Sequence, residues 1–207
     1  MIKAILYDLD GVLVNATEWH YESLNLALEE IAGFKIRREE HIKTFNGIPT
    51  NKKLEILNEQ GRLKQELFEQ VWQRKQEKTF EVIEKFATID ENKIRLHQGT
   101  KNYRKCCVTN SIRKSALLML EKTGQLEFMD FVISNEDVSN SKPDPEGYVK
   151  AIDKFGLTPN ECVVVEDSPK GLEAGRGSKA HVFEVSGYHD VTLENVLNKV
   201  HYFNRLE

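Results

Sequence analysis

The sequence predicts an α/β protein, a doubly wound parallel sheet with a block of helices inserted after its first strand. Three observations lead there. Residues 2–7 are a short, mostly apolar run of the kind buried on both faces in the middle of a parallel sheet. Residues 16–86 show helical periodicity with no strand pattern among them. From residue 106 onward, strands and helices alternate as βαβ units do. The expected division is a core of residues 1–15 and 87–207 with a helical cap of residues 16–86.

Within the helical block, residues 18–32 carry Leu24, Leu28 and Ile31 with Ala27 beside them, an apolar stripe that Gly33 stops. Further helices are expected over 38–45, 50–58 and 63–86, the last keeping a loose repeat through Leu67, Val71, Phe80, Ile83 and Phe86. In the second half, strands fall at 106–108, 131–134, 161–165 and 181–185, the last expected as an inner strand. A helix over 111–123 turns Ile112, Ala116, Leu117 and Leu120 inward and ends at Gly124. Asp144 caps the next, with Pro145 at its first position and Gly156 at its end, and a short helix follows over 169–176. One connection looks too short. Gln98-Gly99 is followed only by residues 100–105 before the strand at 106, whereas a parallel crossover ordinarily needs about a dozen residues or more. The helix expected after Gly99 is therefore shortened or missing.

At 207 residues and 40% hydrophobic content the chain is long enough for a sizeable core plus an insertion. Its 29 basic and 33 acidic residues are well mixed and leave a net charge of −4, which gives no basic footprint for nucleic acid and no polybasic membrane patch. The expected partner is a small molecule and the expected state a monomer. The first strand begins at residue 2, leaving no room for a signal peptide, and no apolar run approaches the roughly 18 residues of a membrane span, so a cytoplasmic location is expected. Cys106, Cys107 and Cys162 lie inside expected strands without metal-ligand spacing and read as reduced, buried small hydrophobes.

The chemistry concentrates at strand ends. Asp8 closes the first strand, Asp10 follows one residue later, and Gly11 lets the chain leave in a conformation that other residues resist. One acidic side chain and the next backbone carbonyl can then face the same point, a hard-cation site with a candidate nucleophile in it. A lone Asp-x-Asp is usually a solvated loop. Here it sits outside the carboxyl end of a strand, where open α/β sheets bind ligands. Glu166-Asp167 follows another apolar strand and reaches the same sheet edge; Asp167 or Ser168 also reads as the cap of the helix opened by Pro169. Thr109 ends its strand and leads into a helix N-terminus, which favours anions.

Asp8-Leu9-Asp10-Gly11-Val12-Leu13 resembles the first motif of the haloacid dehalogenase-like (HAD) superfamily of phosphotransferases. Val108-Thr109-Asn110-Ser111, Ser141-Lys142-Pro143-Asp144-Pro145 and Val163-Val164-Val165-Glu166-Asp167-Ser168 supply three further pieces in the family's order. The branch it is most similar to holds the β-phosphoglucomutase-like phosphatases and mutases, built on a Rossmann-like core. The resemblance implies Mg²⁺ held by Asp8, Asp10 through its backbone carbonyl, Asp167, and Glu166 directly or through water. It implies Asp8 as nucleophile, forming an aspartyl-phosphate, and Asp10 as general acid and then general base. Thr109 would bond a phosphoryl oxygen with Asn110 beside it, and Lys142 would neutralise the phosphoryl group and the nucleophile. His20, Asn46-Gly47-Ile48 and residues 50–53, among them Thr50 and Lys52, lie where related enzymes contact the leaving group; His20 reads equally as a cap histidine facing solvent or a neighbour.

The function this implies is Mg²⁺-dependent hydrolysis of a small phosphorylated metabolite, a sugar or polyol phosphate. Two other readings stand beside it. A mutase would need a second phosphate grip, and Thr50 falls about where the mutase branch has an arginine; Lys52 or Lys53 would have to supply the charge instead. A binding module without catalysis is suggested by the short connection before Cys106.

Overall fold

The computed structural model describes residues 1–45 and 48–206. Its first strand, β1 (Ala4–Tyr7), is buried along its whole length, as its apolar sequence requires. There follow α1 (Thr17–Ala32), α2 (Arg38–Glu40), a π-helical turn at His41–Phe45, α3 (Thr50–Glu59) and α4 (Phe68–Phe86). These helices belong to one compact unit, Ala16–Ala87, while Met1–Asn15 and Thr88–Glu207 make up another.

In the helical unit α1 packs on α4, and Leu24 and Leu28, one turn apart on α1, meet Leu54, Leu57 and Val71 in a common core. Two expected helices are interrupted. Residues 38–45 tighten into α2 and then widen into the π turn, which buries both His41 and Phe45. Residues 63–86 do not start as a helix, because Lys64 is extended and the Asn58 side chain donates to the Leu63 carbonyl at 2.8 Å, holding a turn there.

The other unit continues with α5 (Glu91–Gly99), β2 (Arg104–Val108), α6 (Arg113–Lys122), β3 (Phe131–Ile133) and α7 (Glu146–Phe155). It closes with β4 (Cys162–Glu166), α8 (Pro169–Gly177), β5 (His181–Glu184) and α9 (Leu193–Asn204). Among the described residues the strands form one parallel sheet in the order β3-β2-β1-β4-β5. The chain winds from β1 outward through β2 and β3, then returns to the opposite side of β1 for β4. That reversal makes the β1/β4 boundary the topological switch point. Tyr7 is in register with Cys107 on one side and Val165 on the other, so the three strands end within one residue of one another. One face of the sheet buries Ala4, Leu6 and Val164 against Tyr148, Ile152 and Ala174 of α7 and α8. On the other, Tyr7 meets the His97 ring of α5 edge-on at 5.8 Å. Cys106, Cys107 and Cys162 are free and buried, as expected.

Two expectations are corrected. The connection before β2 does contain a helix, α5, and it precedes Gly99 instead of following it. Asp90 caps it by accepting from the Asn92 and Lys93 amides, and it buries Lys93, Leu96 and His97. Second, β5 is an edge strand and only partly buried. Beyond the expected elements, α9 adds a terminal helix, capped by Thr192 and burying Val196, Val200 and Phe203. Among the described residues, no helix is long and apolar enough to cross a membrane.

Candidate active site

The strand ends bring Asp8, Thr109 and Glu166 to one sheet edge: Asp8, just past β1, is level with Glu166, which closes β4, and Thr109, just past β2, lies one residue further along. All three are buried, as is Lys142 from the loop after β3. The Lys142 ammonium lies 2.5 Å from Asp8 Oδ1, 2.6 Å from Glu166 Oε1 and 2.7 Å from the Val108 carbonyl, which uses its three donors. Asn110 holds that loop in place: its side chain donates to the Lys142 carbonyl at 3.2 Å and accepts from the Lys142 amide at 3.0 Å. The sequence pointed Asn110 at the substrate, yet its side-chain amide is committed to Lys142.

Two glycines let these groups approach. A Cβ on Gly11, whose φ is +92°, would stand 2.0 Å from Asp167 Oδ2, and one on Gly171 would stand 2.0 Å from a carboxylate oxygen of Glu166. No side chain fits either position without displacing an acidic group.

Electrostatically, three carboxylates face one ammonium. Burial works against the charge of Lys142, but the carboxylates of Asp8 and Glu166 outweigh it and hold the ammonium above its ordinary range. Burial, and then the charge of Glu166, push Asp8 well above the usual carboxyl range, with Lys142 opposing. The same two causes raise Asp167 to about 6. Glu166 is the most thoroughly bonded of the set. Its Oε1 accepts from Lys142 and from the Tyr148 hydroxyl at 2.7 Å, and its Oε2 accepts from the Asp167 and Ser168 amides and the Ser168 hydroxyl. Asp167 Oδ1, by contrast, is sealed from solvent and has no hydrogen-bond partner.

One oxygen each from Asp8, Glu166 and Asp167 lie within 4.8 Å of one another. Oxygen donors only, an excess of negative charge and an orphaned carboxylate oxygen fit a hard divalent cation. The Asp10 carboxylate is not among these oxygens, since its Oδ2 accepts from the Ser111 hydroxyl at 2.8 Å. Thr109 Oγ1 accepts from the Ser111 amide at 3.0 Å and keeps its own proton to donate. Ser168 caps α8, accepting from Gly171 N at 3.1 Å, so Asp167 is not drawn into the capping role.

His20 is half-buried on α1 and Thr50 is the first residue of α3. Lys52 is exposed with its ammonium 2.6 Å from Glu55, directed along its own helix. The neighbouring Lys53 is the buried lysine, close enough to the buried His41 to depress its pKa. Asn46 and Gly47 lie outside the described residues. Tyr148 and Ser111 are site residues that the sequence reading did not single out. Tyr148 lies three residues after Pro145 on the apolar face of α7, a signal indistinguishable from that of a core aromatic.

The model of the family described as haloacid dehalogenase-like hydrolase matches residues 5–185. A phosphoglycolate phosphatase of Nitrosospira multiformis is 28% identical over 91% of this chain and 86% of that protein. A phosphorylated carbohydrates phosphatase of Thermotoga maritima is 25% identical over 86% and 82%, and the pyrophosphatase PpaX of Bacillus velezensis is 28% identical over 86% and 80%. Among solved structures, CbbY from Rhodobacter sphaeroides in complex with phosphate aligns with a TM-score of 0.79 at 20% identity, covering 91% of this chain and 88% of that one. A β-phosphoglucomutase from Clostridium difficile aligns with a TM-score of 0.77 at 21% identity, covering 100% and 99%. At those identities the structures speak for the fold alone. The family match spans most of the chain and includes every strand end that carries a candidate residue, and the chain belongs to the haloacid dehalogenase-like hydrolases.

Proposed function

We propose that the protein is a Mg²⁺-dependent phosphatase that hydrolyses a small phosphate monoester, a sugar or polyol phosphate, through an aspartyl-phosphate on Asp8. The observation that carries this reading is the pairing of Asp8 Oδ1 with a buried Lys142 beside a second acidic residue whose oxygen has no partner. Lys142 orients Asp8 and leaves Oδ2, which accepts no hydrogen bond among the described residues, to attack phosphorus. The bond from phosphorus to the ester oxygen breaks as the acyl phosphate forms. Asp10 gives its proton to the leaving alkoxide, then takes one from the water that cleaves the acyl phosphate, releasing inorganic phosphate and restoring Asp8. The Thr109 hydroxyl holds a phosphoryl oxygen through both steps, while Lys142, its three donors committed to the chain, offsets the phosphoryl charge through space.

Asp8 and Asp167, with the Asp10 carbonyl, would hold Mg²⁺, and Glu166, already accepting five hydrogen bonds from the chain, would add its negative charge beside them. When bound, the ion supplies Lewis-acid charge to the phosphoryl oxygens. The substrate class rests on the relatives, two of which are phosphatases of phosphoglycolate and of phosphorylated carbohydrates.

Hydrolysis is favoured over phosphoryl transfer to a second position because Thr50 carries no charge and Lys52 is engaged by Glu55. The reading that lacks catalysis loses its support with the finding of α5. A panel of sugar, polyol and carboxylate phosphates with Mg²⁺ tests the proposal. Release of inorganic phosphate that stops with EDTA and needs no bisphosphate activator is expected. Isomerisation of a sugar 1-phosphate to its 6-phosphate without matching phosphate release would overturn it.

A further inference from the structure

The loop that carries Asp10 is gripped from both ends of α6. Just before the helix, the Ser111 hydroxyl donates to Asp10 Oδ2 at 2.8 Å. Just after it, the side chain of the fully buried Gln125 donates from Nε2 to the Leu13 carbonyl at 3.0 Å. The loop between these points is a closed turn. Gly11 N donates to Val14 O at 2.8 Å, and the Leu13 and Val14 amides both converge on the Leu9 carbonyl. The Leu13 carbonyl is supplied from outside the loop, by Gln125. Leaving a buried carbonyl without a partner is costly, so this contact constrains the loop as well as touching it.

The direction of the Gln125 amide follows from its neighbours. A carbonyl only accepts, so the NH₂ group must face Leu13; the same nitrogen reaches Thr123 Oγ1 at 2.9 Å, whose own proton goes to the Met119 carbonyl at 2.7 Å. That leaves Gln125 Oε1 toward His97 Nε2 at 3.1 Å, and His97 must donate there. His97 Nδ1 is consequently bare, and it is sealed without a partner. Burial keeps the ring neutral, with its pKa lowered to about 4. From His97 through Gln125 to Leu13 every donor meets an acceptor in only one arrangement.

We propose that Gln125, oriented by His97, is a positioning residue for proton transfer by Asp10, fixing the far side of the Asp10 loop while Ser111 fixes the carboxylate. The inference rests on the acid role of Asp10 proposed above. At saturating Mg²⁺, a loosened loop would leave Asp8 and Lys142 in place and misplace chiefly the Asp10 carboxylate. The loss would then depend on how much the leaving group needs a proton.

The test compares a sugar phosphate, whose alkoxide needs protonation, with 4-nitrophenyl phosphate, whose leaving group hardly does. Asp10→Asn is the reference and should lose about 10²- to 10⁴-fold in kcat on the sugar ester and far less on the nitrophenyl ester. Gln125→Met, similar in length but without donors, should lose about tenfold on the sugar ester at nearly unchanged KM, and under about threefold on the nitrophenyl ester. If Gln125→Met does not fold, Thr123→Val, which releases the second amide hydrogen of Gln125, should show the same selectivity at about threefold. Equal losses on both esters, or none, with Asp10→Asn still selective, would overturn the assignment of Gln125. A non-selective Asp10→Asn would overturn the acid role itself.

Discussion

The Lys142 ammonium stands 2.5 Å from Asp8 Oδ1 and 2.6 Å from Glu166 Oε1, so one buried cation is shared by the proposed nucleophile and a carboxylate fixed by four other donor groups. Removing one partner from a buried ion cluster leaves uncompensated charge and costs about 3–5 kcal/mol. Lys142→Ala is expected to lower stability without added cation by about that amount near neutral pH and to cut kcat by about 10²–10³ through lost charge on the phosphoryl group. Mg²⁺ should still bind and recover part of the stability. Thermal unfolding with and without Mg²⁺, alongside phosphate release, checks both halves; activity within a few-fold of wild type would contradict the role.

Asp167 presents the reverse case. Its Oδ1 has no partner, and the nearby Glu166 repels its charge. Asp167→Ala should leave the fold nearly intact or slightly firmer in the absence of cation, while Mg²⁺ affinity and Mg²⁺-dependent activity fall together. Calorimetric titration with Mg²⁺ measures this directly. Wild-type affinity in the variant would show that Asp167 is not a ligand.

Much of this site was legible in the sequence because parallel strands convert sequence position into spatial position. Each candidate acid follows an apolar run, and runs that end within one residue of one another bring Asp8, Thr109 and Glu166 to one edge. Side-chain commitments were not legible. Nothing in the order of residues says that Asn110 turns back to the Lys142 backbone, or that Lys52 pairs with Glu55 while Lys53 turns inward. The helix α5 escaped notice for a physical reason: it buries Lys93 and His97 along with Leu96, so its inner face reads as polar. Lys93 is accommodated there by the carbonyls of Tyr188 and Val191, both 2.9 Å from its ammonium, partners about a hundred residues away along the chain. For α9 the signal was present, as Thr192 precedes Val196, Val200 and Phe203 at helical spacing.

Two buried histidines contribute to the loss of stability in acid. Burial lowers both His41 in the helical unit and His97 in the sheet-bearing unit to about 4, with Lys53 adding to the effect at His41 and the Gln125 contact opposing it at His97. A base depressed in the folded state contributes stability that is present above its ordinary pKa of about 6.5 and is lost as pH falls toward about 4. By that linkage, full charging of each ring costs on the order of 3 kcal/mol. His41 also has both ring nitrogens sealed without hydrogen bonds, beside the Tyr21 ring at 5.0 Å. His41→Phe should therefore stabilise the helical unit by about 1 kcal/mol at neutral pH and flatten its loss of stability between pH 6.5 and 4. Trp19 and Trp72, the chain's two tryptophans, both lie in that unit, so urea unfolding followed by their fluorescence isolates the effect. An unchanged acid limb in His41→Phe would assign it to other groups.

The central claim is that Asp8 becomes phosphorylated during turnover, and acid quenching within the first turnovers followed by mass spectrometry of the peptides tests it most directly. The account expects a phosphoryl group on the peptide containing Asp8, labile at neutral pH as acyl phosphates are, and absent from Asp8→Asn, which should not release phosphate. Phosphate release at the wild-type rate by Asp8→Asn, or a phosphoryl group trapped on any other residue, would contradict it.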